Sequence, residues 1–167
     1  MIQFVRMTQC EYETWIQIAV DSYAAAKATS GVWDATEAPE KAKKVFGELL
    51  SEGLDTPNHH LVSVRDSEQG VLFGYLWFAV EGSEPHVFLY EITILPDYRR
   101  RGVGRQAMKE LEAQALKLGL HCVSLHVFAD NVPARLLYES LGYVPSGTYM
   151  TKNLIDGDAA AAEKSVR

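Results

Sequence analysis

The chain has 167 residues, with 16 Lys+Arg against 22 Asp+Glu and a formal charge of -6. Hydrophobic residues at 47% and charged residues at 23% exclude a disordered chain, a collagen and a coiled coil. One domain of this length buries roughly 68–70% of its unfolded surface without metal or disulfide staples, and the net acidity argues against a general nucleic-acid binder.

Residues 2–6 (IQFVR) read as a first strand, and Thr8 precedes a helix from about Glu11 to Lys27. Trp15, Ile18, Ala19 and Ser22 fall at helical spacing and mark its buried face, the serine aside. Residues 28–37, with Ser30-Gly31, read as a loop. Pro39 opens a second helix, with Val45, Phe46, Leu49 and Leu50 as its buried face and Gly53 as its stop. The period then changes. Leu61, Val62 and Val64 form a short strand, and Asp66 to Gly70 is turn chemistry. Val71 to Val80 is a long apolar strand with Gly74 as a bulge candidate. Residues 87–95 (VFLYEITIL) are apolar on both faces, as in a central strand. Two hairpin connections in a row predict a three-strand antiparallel meander.

A helix from about Val103 to Leu118 follows, with Val103, Ala107, Met108, Leu111, Ala115 and Leu118 on one stripe and Gly119 after it. Residues 121–128 alternate like a strand. Asn131 and Pro133 open a final helix running to Leu141. Tyr143-Val144 and Tyr149 to Leu154 read as two short closing strands. Residues 1–155 make one domain, and 156–167 lack an apolar face and read as a flexible tail.

Arg6, Glu11 and Glu13 break the N-terminal stretch, so no signal-peptide core is visible, and no apolar run approaches the ~18 residues that span a bilayer. Cys10 and Cys122 make neither a metal pattern nor a disulfide framework. They read as reduced, partly buried thiols of a cytoplasmic protein that binds no membrane. His59-His60 and His86 sit beside turns with no third ligand at metal spacing, so no metal is expected.

The sharpest signal is Arg99-Arg100-Arg101-Gly102-Val103-Gly104-Arg105, between a strong strand and a strong helix. Such a junction points free N–H groups at one spot, and the helix dipole favours an anion there. Gly102 and Gly104 let the backbone approach a phosphate, and the arginines add charge-assisted donors. A solvated basic turn before a helix is the plain alternative. The G-x-x-x-x-G-K-[ST] nucleotide loop and the third glycine of the dinucleotide fingerprint are both missing.

R-x-x-G-x-G (Arg99, Gly102, Gly104) after LYEITILPDY resembles the acetyl-CoA pyrophosphate loop of the GNAT N-acetyltransferase superfamily. The resemblance continues through N-x-x-A-x-x-x-Y (Asn131, Ala134, Tyr138) and the closing LGY, and so covers residues 87–154. The stretch LHVFADN to LYESLGY is similar to a bacterial subgroup whose acceptors are mostly unassigned. The resemblance implies an α/β (α+β) fold with a mixed, mostly antiparallel central sheet flanked by helices. It implies that Ile92, Thr93 and Ile94 offer backbone groups to the pantetheine arm, in the slot where two strands diverge. The N–H groups of 100–105, from Arg100 and Arg101 through Val103 to Arg105, would hold the pyrophosphate. Arg99, Arg100 and Arg101 do not all point inward on this reading, and at least one faces solvent or the 3′-phosphate. Asn131 would cap its helix, touch the cofactor, or do both. Tyr138, on the face of Ala134, would protonate the departing thiolate, a role its ordinary pKa suits; its alternative is a core tyrosine.

Glu91 is the acceptor-side candidate. A carboxylate in an apolar central strand is costly unless paired or used. Near an ammonium, directly or through a water, it takes the proton that must leave before attack, and burial raises its pKa to suit. Alternatively it partners a buried polar group or an arginine. Strict alternation puts Tyr90 and Glu91 on opposite faces unless a bulge intervenes. His126 is the reserve base. Trp33, Tyr75, Trp77 and Phe78 line either an acceptor pocket or the core.

The expected reaction is direct acetyl transfer from acetyl-CoA to a primary amine of a small molecule, peptide or protein. A non-catalytic acyl-CoA-binding module and a nucleic-acid module using the arginine cluster are the rivals. Residues 1–95 hold 14 acids and 6 bases, and residues 96–167 hold 8 acids and 10 bases. The basic part suits a polyanionic donor and the acidic part a cationic acceptor. The chain is expected to be a monomer, or a homodimer through an edge strand.

Overall fold

Capping chemistry fixes the first elements of the computed structural model, which describes residues 1–148 and 150. After β1 (Ile2–Arg6), the Thr8 hydroxyl accepts from the Glu11 amide at 3.3 Å, and Glu11 accepts from the Thr8 amide at 2.8 Å. This reciprocal box starts α1 (Gln9–Thr29). The buried stripe of α1 is Trp15, Ala19, Val20 and Ala24. The spacing places Ile18 on that stripe, but it is exposed. The true stripe is rotated, because Tyr12, Ile16 and Tyr23 pack beside Trp15 instead.

α2 (Ala38–Leu49) buries Ala38, Ala42 and Phe46, and Leu50 just beyond it, at steps of four. Small alanines let α2 lie close against α1. Val45 and Leu49, expected on the buried face, are half-buried at its margin.

β2 (His59–Asp66), β3 (Leu72–Glu81) and β4 (His86–Ile94) form the expected antiparallel meander, with β1 on its outer edge. The first turn forms because the Asp66 carboxylate accepts from the Glu68 and Gln69 amides at 2.9 and 2.7 Å. The predicted irregularity at Gly74 is present. Val64 pairs with Gly74 but Arg65 with Leu72, leaving Phe73 as the extra residue. A Cβ on Gly74 would lie 2.1 Å from the Thr93 carbonyl oxygen, so only glycine permits this approach of β4.

The connection after β4 carries α3 (Val103–Lys117) and returns in the parallel sense, so β5 (Val123–Leu125) joins β4 parallel. β5 is far shorter than the strand expected over 121–128, because beyond Leu125 it leaves β4 and has no ladder to join. α4 (Val132–Glu139) closes the described fold. The sheet separates two cores. Trp15, Phe46 and Trp77 centre the one under α1 and α2. Leu76, Met108 and Leu111 centre the one under α3 and α4. Leu118, predicted on the α3 stripe, is its exposed C-cap. Tyr143-Val144 has no strand pairing among the described residues; the expected partner 149–154, apart from Met150, and the expected tail 156–167 lie outside them. Cys10 and Cys122 are both exposed rather than partly buried, Cys10 in the first turn of α1 and Cys122 just before β5.

Candidate active site

The short β5 creates the site. β4 pairs with β5 only at Val87, Phe88 and Leu89, then runs on alone to Ile94. The Leu95 amide donates to the Phe73 carbonyl at 2.9 Å, which sets the alternation of the β3–β4 ladder. Ile92 and Ile94 then turn their N–H and C=O groups to the open edge, whereas Thr93 turns its backbone to β3. The Ile94 carbonyl is met there by Arg99 Nε at 2.8 Å. Of the three residues expected to present backbone to a ligand, Thr93 is therefore the one whose backbone the sheet takes.

A cavity of about 440 Å³ fills the gap between the diverging strands. Glu91, Ile92, His126, Asn131, Ala134 and Tyr138 all border it, so the candidates from three separate stretches of sequence meet.

A bulge resolves the facing of Glu91. Trp77 pairs with Glu91 and Phe78 with Leu89, so Tyr90 is the extra residue. Tyr90 stacks on Trp77 at 4.3 Å between ring centroids, and Glu91 lies on the same side of the sheet. There the Glu91 carboxylate accepts from Trp15 Nε1 at 2.9 Å and from the Thr93 hydroxyl. Burial pushes its pKa up, against the lowering effect of those two neutral donors. Sequence reasoning did not find Trp15 or the Thr93 side chain as partners of Glu91. The facing of Glu91 depends on a bulge, and alternation alone gave no register.

Asn131 caps α4, its side chain accepting from the Ala134 amide at 3.3 Å. One turn past Ala134, Tyr138 is buried at 7% exposure. Burial, with the nearby Glu91 charge, pushes its phenol up to about 12, so it holds its proton at neutral pH. His126 is pushed down by burial and by the Lys27 charge, and so is neutral at pH 7.

The arginine loop begins where Pro96–Tyr98 makes one 3₁₀ turn. Arg100 and Gly102 both take positive φ, 62° and 78°, which curls the backbone before α3. Gly102 meets nothing within 4 Å, so its need is conformational; Gly104 is held small by Leu137 Cδ2, 3.3 Å from where a Cβ would lie. The Gln106 amide, bonded to the Gly102 carbonyl, is the first to close a helical turn, so the N–H groups of Val103, Gly104 and Arg105 have no intrahelical partner. The arginine side chains diverge. Arg99 returns to β4, and the Arg101 guanidinium lies 6.0 Å from the Tyr98 ring centroid. Arg105 donates to Ser140 Oγ at 2.6 Å, so its side chain ties α3 to the end of α4 rather than facing the loop.

Among the described residues no cluster of three His, Cys, Asp or Glu side chains suits a metal, and no helix is long and apolar enough to cross a membrane. His59 accepts from Trp77 Nε1 at 2.9 Å and His60 stacks on Phe78, so both are structural. Tyr75 and Phe78 belong to the cores, whereas Trp77 reaches the cavity.

A family model for the acetyltransferase (GNAT) family matches residues 12–143. The chain belongs to that family. It is 35% identical over 155 residues to YycN of Bacillus subtilis, an uncharacterized N-acetyltransferase, covering 92% of this chain and 99% of that one. The crystal structure of YycN superposes with a TM-score of 0.86 over the same shares of the two chains. A second Bacillus subtilis N-acetyltransferase, YdgE, is 31% identical over 89% of this chain and 95% of its own. Over 33% of this chain and 37% of its own length, the [ribosomal protein bS18]-alanine N-acetyltransferase of Escherichia coli is 42% identical. This GNAT chain is an acyltransferase, and the donor used by its family is acetyl-CoA.

Proposed function

We propose that the chain transfers acetyl from acetyl-CoA directly to a primary amine of a small molecule, peptide or protein. The observation that carries this reading is the convergence of Glu91 and Tyr138 on one cavity beside the unpaired edge of β4. Ile92 and Ile94 supply the N–H groups that the pantetheine arm and the thioester oxyanion need. The free N–H groups of Val103, Gly104 and Arg105, with the Arg100 side chain, serve the pyrophosphate. Thr93 anchors β4 to β3, Arg99 holds the Ile94 carbonyl, Arg101 lies against Tyr98 and the Arg105 side chain ties α3 to α4, while Asn131 and Ala134 seat Tyr138.

Glu91 takes a proton from the incoming ammonium, directly or through one water. The amine nitrogen then bonds the acetyl carbon as the carbon–sulfur bond breaks. Tyr138 gives its proton to the departing thiolate and takes back the second proton that the acylated nitrogen sheds, while Glu91 releases the first to solvent. A phenol kept protonated by burial suits that task, and a carboxylate raised by burial suits the first. His126, neutral and on the same cavity, is the second reading for the base. The acidic half of the chain favours arrival of an ammonium.

The test is a steady-state analysis across amine, hydroxyl and thiol acceptors. Sequential kinetics with N-acetyl products is the expected result. Transfer confined to hydroxyl or thiol acceptors, or a trapped acetyl-enzyme, overturns the reading.

A further inference from the structure

The acceptor side of the cavity carries a second charge that the reaction above does not use. Lys27 borders the same cavity as Glu91 and Tyr138. Its Nζ lies 5.3 Å from the ring centroid of Tyr23 and 5.6 Å from those of Trp33 and Phe128. Three separate parts of the chain build this cage. Tyr23 is one turn before Lys27 on α1. Trp33 is returned to it by the turn after α1, where the Lys27 carbonyl accepts the Val32 and Trp33 amides at 3.1 and 3.2 Å. Phe128 comes from beyond β5. Tyr23 meets Trp33 edge-on at 5.5 Å, so the rings hold one another in place.

The ammonium thus reaches from α1 across to the segment beyond β5, and its charge is felt by His126. None of the ion pairs among the described residues involves it. The contrast with α2 is direct: Lys41, Lys43 and Lys44 there pair with Glu37, Glu40 and Glu48. Ring faces attract a cation but accept none of its three N–H bonds in the way a carboxylate does. A half-buried ammonium held in one place, with donors to spare, is a receptor for an anion.

We propose that Lys27 is a specificity residue that binds a carboxylate of the acceptor, so that preferred acceptors carry an anionic group as well as the reacting amine. This rests on the amine-transfer reading above. Glu91 and Lys27 then meet the two charges of one zwitterionic acceptor, such as an amino acid or an acidic peptide.

The experiment compares kcat/KM for matched acceptors with and without the carboxylate: lysine with cadaverine, and phenylalanine with phenethylamine. The wild-type protein is expected to favour the carboxylate-bearing members by about ten- to a hundredfold, the range of one charge-assisted hydrogen bond. Lys27→Met brings that ratio near one, acting through KM of the carboxylate-bearing member. Lys27→Arg keeps most of the preference, and Lys27→Glu inverts it. A ratio unchanged in Lys27→Met, or a wild-type preference for the carboxylate-free members, overturns the proposal. If those are preferred and Lys27→Met improves them further, the cage is a cation site that Lys27 blocks. Acetyl-CoA binding with no N-acetyl product from these pairs or from any other small-molecule, peptide or protein amine overturns the amine-transfer reading itself, and the Lys27 assignment with it.

Discussion

Glu11 and Glu91 both lie between α1 and the same face of the sheet, one at the β1–β2 end and one where β4 and β5 part. Glu11 contacts Arg65 and also accepts from Ser63 and from both the amide and hydroxyl of Thr8. Burial pushes it up, but these bonds outweigh burial and hold it at about 2. Glu91 has only the neutral Trp15 indole and Thr93 hydroxyl, and burial prevails. The helix that gives one carboxylate its capping box gives the other its indole, one turn later. A carboxylate supplied with a cation is fixed as a charge and serves the fold. A carboxylate supplied only with neutral donors exchanges a proton and serves the chemistry.

The largest expected effect lies on the chemical side. Tyr138→Phe should lower kcat about 10²- to 10⁴-fold with little change in KM for acetyl-CoA, measured at saturating acceptor. An unchanged kcat removes the acid role. Glu91→Gln should lower kcat/KM for the acceptor about 10²-fold. It should also abolish the acid limb of the pH profile, a limb that in the wild-type protein falls above the ordinary carboxylate range. Survival of that limb in Glu91→Gln transfers the base role to His126.

On the structural side, Glu11→Gln should cost about 2–3 kcal/mol at pH 7 by urea denaturation, with activity per folded molecule retained. The folded pKa of Glu11 is depressed, so its contribution is complete above the unfolded value and is lost as pH falls toward about 2. The stability gap between wild type and Glu11→Gln should therefore narrow as pH is lowered through that window. A constant gap would mean that packing, not charge, holds Glu11. The smallest effect is Gly102→Ala. With no neighbour to clash, it pays only for positive φ, about 1 kcal/mol in a thermal melt, together with a raised KM for acetyl-CoA.

Much of this was legible in the chain. The meander, the long helix after the glycines and the cap at Asn131 follow from alternation, helical spacing and local hydrogen bonding, which act over a few residues. The stripe of α1 differs from its spacing at Ile18 because spacing gives a period but not which flank meets the sheet. The arginine run marked the loop, yet gave no sign that Arg105 reaches Ser140, 35 positions away.

The sequence by itself determined the element order, the backbone-rich junction at 99–105 and the family to which these motifs belong. Tertiary structure decided the facing of Glu91, through a bulge that exists only against β3. It also decided the early parting of β5 from β4, the Trp15 bond to Glu91 and the ring cage around Lys27. The physical reason is range: caps, turns and periodicity are local, whereas the protonation state of a buried group depends on which distant residues surround it.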